Sequence, residues 1–310
     1  MRIFDKPNFN FIQWRWHAIA FSALIIIAGL VSIATKGMPL GIDFSGGTIV
    51  VLKFQQPVAE DGLRTALDAV PGEKVVQQYG EPGANEWLVR LPEQAAEGGT
   101  SLEQGARAVL DAVTKANIGQ FEVISQEIVG PVIGADLQRK GIYATLASIV
   151  GITIYIGIRF RFAFAIGAIA ATLHDVLVTL AVLTFFGYDL SLNIVAAILT
   201  ITGYSVNDTI VIFDRVRENL RSKRRDSLET VVNQSVNETL GRTVITAGTT
   251  FLAVLSLYLF GGEVLEGFAF TMLVGIVSGT YSTVFIAAAI AILLSSKQTP
   301  GRPQAARKAS

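Results

Sequence analysis

Thr200-Ile-Thr-Gly-Tyr-Ser-Val-Asn-Asp-Thr-Ile-Val-Ile-Phe-Asp-Arg-Val-Arg-Glu-Asn219 is an apolar stretch that carries Asp208 near its middle and then turns into charged residues. An ionised carboxylate is costly in the hydrocarbon of a bilayer, so such a group faces a bundle interior, finds a partner or takes up a proton. Asp208 is therefore the first candidate for a functional residue. The alternative is a structural polar group that ties one helix to the next.

Side chains of similar character recur along this stretch with the period of a helix. One face would hold Ile201, Tyr204, Ser205, Asp208, Ile212 and Arg215. Its partly polar character predicts that this face points into a bundle. The opposite face would hold Val206, Ile210, Val211 and Phe213, and it is apolar enough to meet lipid.

The composition of the chain indicates a membrane protein. Of its 310 residues, 51% are hydrophobic and only 16% are charged, and the mean hydropathy is +0.50. An ordinary soluble domain has a charged share of about a quarter. The formal net charge of zero gives no overall signal for nucleic-acid binding. The absence of cysteine excludes disulfides, thiolate metal sites and cysteine nucleophiles.

Six apolar segments are long enough to cross roughly 30 Å of hydrocarbon at about 1.5 Å per residue. They are predicted at residues 17–35, 141–158, 163–185, 190–213, 242–260 and 267–294. Residues 1–16 form a basic N-terminal segment with Arg2, Lys6 and Arg15. The first span is predicted to be an uncleaved anchor rather than a signal peptide, because it is long and no small-residue cleavage site is obvious before Lys36.

Residues 36–140 have the character of one small domain, because charges, prolines and glycines interrupt every apolar run. Strands are predicted at 48–54, 74–79, 86–91 and 120–129, and helices at 59–70 and 101–117. The resulting order, β-α-β-β-α-β, predicts a ferredoxin-like α+β domain between the first and second spans.

Two glycine-containing segments frame this domain, namely Gly41-Ile-Asp-Phe-Ser-Gly-Gly-Thr48 and Val129-Gly-Pro-Val-Ile-Gly134. The first lacks the Lys-Ser/Thr of a phosphate-binding loop and precedes a strand. We therefore expect a tight turn in which glycine adopts positive φ. In the second, Pro131 should end a strand and start a new direction.

The distribution of Lys and Arg predicts the orientation. Residues 214–240 are too charged to enter a membrane and predict a basic amphipathic helix on the cytoplasmic leaflet. Sixteen Lys and Arg residues lie at that end of the spans, while the opposite short loops, 186–190 and 261–267, have none. Both termini, including the tail 295–310, are thus predicted to be cytoplasmic, and the domain 36–140 is predicted to lie on the outer side of the membrane.

Few other ionisable groups lie at membrane depth. Arg242, Thr246, Thr249 and Ala253 share one helix face, which offers Arg242 as a partner for Asp208. A carboxylate that alternates between an Arg-paired ionised form and a buried protonated form is a proton switch. Supporting polar groups would be Tyr204, Ser205, Asn207 and Thr246, with Asp175 as either a packing or a relay group.

Three further patterns have simpler interpretations. His174 adjoins Asp175, but neighbouring residues on a helix point about 100° apart, so a metal site is disfavoured and His174 is predicted to be a bystander. An intramembrane aspartyl protease would need Asp175 to face Asp208, and nothing else in the sequence marks a peptide-cleaving site. Gly275-Ile-Val-Ser-Gly279 is a GxxxG motif and predicts close helix packing.

Taken together, the motifs of this chain resemble the SecD/SecF family of bacterial protein-export membrane proteins, within the resistance-nodulation-division (RND) superfamily. The resemblance rests on both glycine segments, on Leu173-His-Asp175, on Tyr204 to Asn219 and on Gly241-Arg-Thr243. It covers the chain from the first span to the sixth. It implies half of an RND-type bundle, completed by six similar helices of a SecD partner.

The same resemblance implies the function and the site. Family members are thought to use the proton-motive force to promote preprotein translocation, together with the SecY, SecE and SecG channel, the SecA motor and, as further partners, YajC and YidC. Asp208 and Arg242 match the family's proton-pathway positions. Protons are the expected coupling ion, and no cofactor is expected. The alternatives are an RND exporter half for a lipid or small amphiphile, which usually has larger external domains, and a non-transporting scaffold of the channel.

Overall fold

A computed structural model describes residues 7–71, 74–80, 83–92, 102–223 and 225–297. Within these ranges, six helices are long and apolar enough to cross a membrane, and four strands form one sheet. This confirms the predicted fold class of a six-span helical protein with one small α+β domain after the first span. Part of the predicted basic N-terminal segment, with Arg2 and Lys6, lies outside the described residues. The tail beyond Lys297 lies outside them as well.

The first half of the chain forms one long helix and the sheet domain, which we define as residues 47–129. A short 3-10 turn, Ile12–Trp14, leads into the first helix. The elements follow in the order α1 (Arg15–Lys36), α2 (Ile42–Ser45), β1 (Gly47–Phe54), α3 (Glu60–Leu67), β2 (Val75–Tyr79), β3 (Glu86–Pro92), α4 (Leu102–Ala116) and β4 (Phe121–Val129).

The second half is helical throughout. It comprises α5 (Pro131–Arg159), α6 (Phe162–Phe186), α7 (Leu192–Ser222), α8 (Leu228–Phe260), α9 (Glu263–Ser282), a π-helical turn (Thr283–Ala287) and α10 (Ala288–Lys297). The last three elements form a single continuous span. Serine side chains cap two of these helices: Ser191 accepts a hydrogen bond from the backbone of Ile194, and Ser227 accepts one from Thr230.

The sheet domain has the predicted ferredoxin-like topology. Its strand order is β2-β3-β1-β4, and all three neighbouring pairs are antiparallel. Val50 of β1 lies opposite Val89 of β3, and both are fully buried. Leu63 of α3 and Val109 of α4 cover the same face of the sheet. Every strand and helix predicted for this domain is present, with ends that differ by a few residues.

Glycine allows the helices of the bundle to approach closely. A Cβ atom added to Gly275 of α9 would lie 2.2 Å from Ile201 of α7, and one added to Gly279 would lie 2.9 Å from the Cβ of Ser205. Real side chains do not come this close, so both positions require glycine for the observed packing. The close helix packing predicted from the GxxxG motif is confirmed.

The outward face predicted for α7 is wrong. Val206 and Phe213 are 6% and 1% exposed, and they belong to the largest buried cluster, together with Phe164. The reason is that α7 lies in the middle of the bundle, between α5, α6, α8 and α9. A central helix buries apolar side chains on several sides, so the apolar side need not be the lipid side.

The single basic helix predicted for residues 214–240 is also wrong. Helix α7 continues to Ser222 and α8 starts at Leu228, so this region consists of two antiparallel helix extensions joined by a short turn. Their polar side chains pair with each other: Glu238 of α8 accepts hydrogen bonds from Arg215 and Asn219 of α7. Mutual pairing satisfies these groups without an anionic lipid surface.

The glycine segments behave as expected. Gly46 and Gly47 have φ values of 72° and 129°, which L residues with side chains rarely adopt, and they form the turn between α2 and β1. Strand β4 ends at Val129 and α5 begins at Pro131, as predicted for that proline. Helix α5 therefore starts well before the predicted span at residue 141.

Candidate functional site

Asp208 lies on α7 and is half-buried between α7 and α8. Its Oδ1 accepts a hydrogen bond of 2.7 Å from the Thr243 hydroxyl on α8. Its Oδ2 is buried and has no hydrogen-bond partner within the described part of the chain. One oxygen of the acid is thus held by the protein, while the other is left available to a proton or a water molecule.

A small cavity of about 30 Å³ lies beside Asp208. This volume is sufficient for a water molecule, which needs about 10–15 Å³ of such space. The cavity is lined by Asp208 and by five other residues predicted for the site, namely Tyr204, Ser205, Asn207, Arg242 and Thr246. The structure therefore brings together all the predicted site residues except Asp175.

Arg242 borders this cavity but does not pair with Asp208. Among the residues that the structure describes, no ion pair joins the two side chains. Arg242 is exposed at the surface of α8, and its neighbour Thr243 donates the hydrogen bond to Asp208 instead. The sequence analysis missed Thr243 as a site residue, although it stands inside the Gly241-Arg-Thr243 motif.

Asp175, on α6, is surrounded by hydrogen-bond donors and is only 1% exposed. Its Oδ1 accepts from Ser278 at 2.8 Å, and its Oδ2 accepts from Ser205 at 2.6 Å and from Ser282 at 2.8 Å. Ser205 is the link to Asp208, because it also lines the small cavity. Asp175 therefore lies one hydroxyl group away from the cavity and does not face Asp208 directly.

His174, predicted to be a bystander, contacts its neighbour Asp175. Its Nδ1 lies 3.0 Å from Oδ1 of Asp175, and its ring stacks on Tyr281 at a centroid distance of 6.0 Å. The 100° between neighbouring helix positions does not prevent this contact, because the imidazole is long enough to fold back toward the adjacent carboxylate. The side chain is 7% exposed.

Helices α7 and α8 leave one polar stripe each at the surface of the bundle. On α7 the stripe consists of the exposed residues Asn193, Ala196, Thr200, Gly203 and Asn207. On α8 it consists of Arg242, Thr246, Thr249, Ala253 and Ser256, and the apolar residues Ile245 and Leu252 of the same helix are exposed as well. The predicted common face of Arg242, Thr246, Thr249 and Ala253 is therefore present. It is not covered by any helix that the structure describes.

The sheet domain and the preceding helix α2 contact the start of α7 and the loop before it. Arg90 of β3 forms an ion pair with Asp189 and donates to the carbonyl oxygen of Leu40. Asp43 of α2 accepts the backbone N–H of Leu192, the first residue of α7, at 2.8 Å. We call these contacts the junction. Burial raises the pKa of Asp189 above its ordinary value, while the Arg90 guanidinium acts in the opposite direction.

No pattern in the sequence indicates the junction. Asp43 stands in the first glycine segment, which was interpreted only as a turn, and its partner is 149 positions away. Two backbone hydrogen bonds add to the junction, from Gly41 to Leu190 and from Leu190 to Pro39. Such distant pairings leave no periodic trace in a single sequence.

Comparison with protein families identifies the chain. Residues 109–297, more than half of its length, match the family model described as protein export membrane protein SecD/SecF, C-terminal. The chain belongs to the SecD/SecF family. Residues 31–58 match a second model of the same family, the SecD/SecF GG motif, which contains Asp43, Gly46 and Gly47. The resemblance seen in the sequence is thereby confirmed.

Relatives from bacteria match this chain over nearly their whole length. A protein translocase subunit SecF from Desulfurispirillum indicum is 42% identical over 91% of this chain and 90% of its own. The corresponding subunit from Escherichia coli O157:H7 is 39% identical over 94% of this chain and 90% of its own. As a member of the SecD/SecF family, the chain is a multi-pass membrane subunit for protein export.

Solved SecDF structures share the fold. The crystal structure of SecDF, a translocon-associated membrane protein from Thermus thermophilus, is 34% identical, with a TM-score of 0.82 over 94% of this chain. A second SecDF structure, in a super-membrane-facing form, gives a TM-score of 0.70 at the same identity. This chain spans only about two fifths of each SecDF chain, 39% and 40% respectively.

Proposed function

We propose that this chain pairs with a SecD subunit and uses the proton-motive force to promote preprotein translocation across the bacterial cytoplasmic membrane. Protons are the coupling ion. The observation that carries the proposal is the state of Asp208: one oxygen is bound by Thr243, and the other is buried without a described partner beside a water-sized cavity.

Protonation of Asp208 changes how α7 and α8 can pack. The ionised acid is a net negative charge at membrane depth, and proton binding removes that charge. One charge that crosses 100 mV gains about 2.3 kcal/mol, and each unit of pH gradient adds about 1.4 kcal/mol. Energies of this size are sufficient to bias a helix bundle between two packings that differ by a few kcal/mol.

Arg242 belongs to this cycle as the cation nearest to the cavity. It lies outside an ion pair with Asp208 in this structure, but both side chains border the same cavity. An ionised Asp208 would attract the guanidinium, and a protonated Asp208 would release it. We therefore assign the two residues to two alternating states of the same site.

The two exposed polar stripes support SecD as the partner. Hydroxyl, amide and guanidinium groups are poorly placed against lipid, and small residues let a neighbouring helix approach closely. The SecDF chains are more than twice as long as this one, which matches about two fifths of each. We propose that SecD helices cover the stripes on α7 and α8 and close the Asp208 cavity.

The orientation follows from charge. Arg159 and Arg161 lie at the same end of the spans as the basic residues of α7 and α8, and Asp189 lies in a loop at the other end without Lys or Arg. By the positive-inside tendency, the basic end and both termini are cytoplasmic, and the sheet domain is periplasmic.

Further partners follow from the proposed role in export. They are the SecY, SecE and SecG channel with SecA, the proteins YajC and YidC, the translocating preprotein and membrane lipid. Support for them comes from membership of a protein-export family. The relatives are named protein translocase subunits, and this name indicates transport of proteins. The alternative of an exporter for a lipid or small amphiphile has no comparable support.

Preprotein import into membrane vesicles tests the proposal. The vesicles contain the chain, its SecD partner and the Sec channel, and import is measured with and without a proton gradient. Asp208→Asn should remove the gradient-dependent part of import while the variant still co-purifies with SecD. Asp214→Asn is the matched control, since Asp214 lies on the same helix but pairs with Arg159 and Arg217. Full gradient-dependent import by Asp208→Asn would favour the scaffold alternative.

A further inference from the structure

A wide groove at the basic end of the bundle has no role in the function proposed above. It lies between the start of α1 and the first half of α8, and its volume is about 1640 Å³. Pockets for small molecules measure about 300–1,000 Å³, so this groove can hold a larger ligand. A lipid headgroup with the first carbons of its acyl chains is a ligand of that kind.

Residues 7–12 form one wall of the groove, and we call them the strap. Two asparagines of α8 hold the peptide of Phe9. The side chain of Asn237 accepts the Phe9 N–H at 2.8 Å and donates to its carbonyl oxygen at 2.8 Å, and Asn233 donates to the same oxygen at 3.0 Å. Ile12 is 5% exposed and belongs to the largest buried cluster. The strap is therefore fixed on α8, and the groove beside it is preformed.

Of the five charged side chains that line the groove in the described part of the chain, only Arg242 lacks an ion pair. Glu229 accepts from Arg15 at 2.8 Å, and Glu238 accepts from Arg215 at 2.5 Å. Three arginines and two glutamates give the lining a net charge of +1, and the exposed Arg242 carries it. A site with this excess charge attracts an anion.

The groove also has an apolar side. Trp16 and Ile245 line it and are 56% and 44% exposed, and the nearby Trp14 is 62% exposed. Exposed tryptophans are typical of the level of the lipid headgroups in a membrane protein. A soluble anion would leave these apolar side chains in water, whereas the acyl chains of a phospholipid cover them. An unpaired guanidinium beside an apolar surface therefore fits an anionic phospholipid.

We propose that the groove binds an anionic phospholipid, whose phosphate is the counter-ion of Arg242 while Asp208 is protonated. This inference rests on the proposed function, in which a protonated Asp208 releases Arg242. Arg242 and Thr246 line both the groove and the cavity beside Asp208. The side chain of Arg242 thus stands between the carboxylate and the groove, and its long flexible stem allows it to turn to either one.

The phosphate keeps the guanidinium paired in both states of the site. A guanidinium forms two parallel hydrogen bonds with a phosphate as it does with a carboxylate. Without a second anion, release of Arg242 from Asp208 would leave an unpaired charge at the edge of the hydrocarbon, which is costly. The phospholipid lowers this cost and thereby favours the protonated form of Asp208.

Lipid titration of the complex tests the site. The full chain with its SecD partner is purified in detergent, phosphatidylglycerol or the zwitterionic phosphatidylcholine is added, and the retained lipids are counted by native mass spectrometry. Arg242→Gln should weaken the binding of phosphatidylglycerol about fivefold, because one arginine near an anionic lipid surface contributes about 1 kcal/mol. Binding of phosphatidylcholine should stay the same. Unchanged binding of phosphatidylglycerol by Arg242→Gln would overturn the proposal.

The matched control is Arg161→Gln. Arg161 is an exposed arginine at the same end of the spans, in the loop between α5 and α6, and it does not line the groove. Its removal should leave the binding of phosphatidylglycerol at the wild-type level. An equal loss of binding in both variants would show attraction by surface charge alone and overturn the proposal.

Two further arms identify the occupant of the groove. Excess inorganic phosphate should not displace phosphatidylglycerol, and displacement would overturn the assignment to a lipid in favour of a free anion. The effect of Arg242→Gln should be the same in the isolated chain and in the complex. An effect seen in the isolated chain but lost in the complex would show that SecD fills the groove, and it would overturn the proposal.

Asp208→Asn separates this inference from the proposed function. Asparagine, like the protonated acid, has no charge, so the variant should bind phosphatidylglycerol several-fold more tightly than wild type at alkaline pH, where Asp208 is ionised. Equal affinity would overturn the exchange of counter-ions, and loss of gradient-dependent import by the same variant would leave the proposed function in place. Normal import by Asp208→Asn would remove the proposed function, and the exchange with it.

Discussion

Asp43 adds a second acceptor to the Ser191 cap of the helix that carries Asp208: its Oδ2 accepts the backbone N–H of Leu192, where α7 begins. Asp208 follows Leu192 by sixteen positions, or about 24 Å along a helix that rises 1.5 Å per residue. The same rigid element therefore links the acid at membrane depth with the junction to the sheet domain. A tilt or shift of α7 on proton binding would be transmitted to that domain.

The first prediction concerns this cap. Asp43→Ala removes the acceptor of the Leu192 N–H, and the loss of a cap costs about 1 kcal/mol. We expect gradient-dependent import to fall several-fold while proton flux through the complex is retained, because the junction is loosened and Asp208 is intact. Asp43→Asn keeps an acceptor and should import normally, as should Asp61→Ala on the surface of α3. Equal loss of flux and import in Asp43→Ala would argue against transmission through the junction.

The second prediction concerns the pH dependence of the junction. The pKa of Asp189 is raised above its ordinary value of 3.8, chiefly by burial, so the folded protein binds this proton more tightly than the unfolded chain. Proton binding by Asp189 therefore stabilises the folded protein. This stabilisation is fully present below pH 3.8 and is lost as the pH rises through the raised pKa of Asp189. In thermal unfolding, the melting temperature of wild type relative to Asp189→Asn should decrease with rising pH and then level off. A relative melting temperature that increases with pH would show that the ion pair with Arg90 dominates.

Thr243 is the subject of the third prediction. Thr243→Val keeps the shape of the side chain but removes the donor to Oδ1 of Asp208. A buried acceptor without its partner costs about 1–3 kcal/mol, which should shift the protonation of Asp208 and reduce gradient-dependent import markedly. Thr243→Ser restores the hydroxyl and should recover most of the import. Equal import by the Val and Ser variants would mean that this hydrogen bond has no role.

Packing glycines provide the fourth prediction. A Cβ on Gly167 of α6 would lie 2.6 Å from the carbonyl oxygen of Ala287, whereas a Cβ on Gly157 of α5 would meet nothing within 4 Å. Gly167→Ala should therefore destabilise the bundle by about 1–3 kcal/mol, measured by thermal unfolding in detergent. Gly157→Ala should be neutral or stabilising by up to about 1 kcal/mol, because alanine favours the helix. A stabilising Gly167→Ala would show that the α6 packing is looser than in this structure.

Local patterns in the sequence were sufficient for much of the fold. The number of spans follows from apolar length, and the β-α-β-β-α-β order from alternation and turn residues, because both depend on neighbours along the chain. The candidate acid was also visible, since a carboxylate in an apolar run is unusual wherever the run lies. Tyr204, Ser205 and Asn207 could be predicted beside it for the same reason.

What the sequence could not show depends on contacts between distant segments. Helical period indicates which residues share a face, but not that α7 is central, so Val206 and Phe213 were assigned to lipid although both are buried. The charges of residues 214–240 gave no sign that Arg215 and Glu238 pair across two helices. The contact of His174 with Asp175 depends on a rotamer, and the role of Thr243 depends on the register between α7 and α8.

The central claim is that Asp208 gains and loses the proton that drives the bundle, and proton flux is the most direct measure of it. The complex with SecD is placed in proteoliposomes that contain a pH-sensitive dye, and a pH gradient is imposed. We predict that Asp208→Asn lowers proton influx to the rate of protein-free vesicles, while Asp214→Asn keeps the wild-type rate. Wild-type influx through Asp208→Asn would contradict the account.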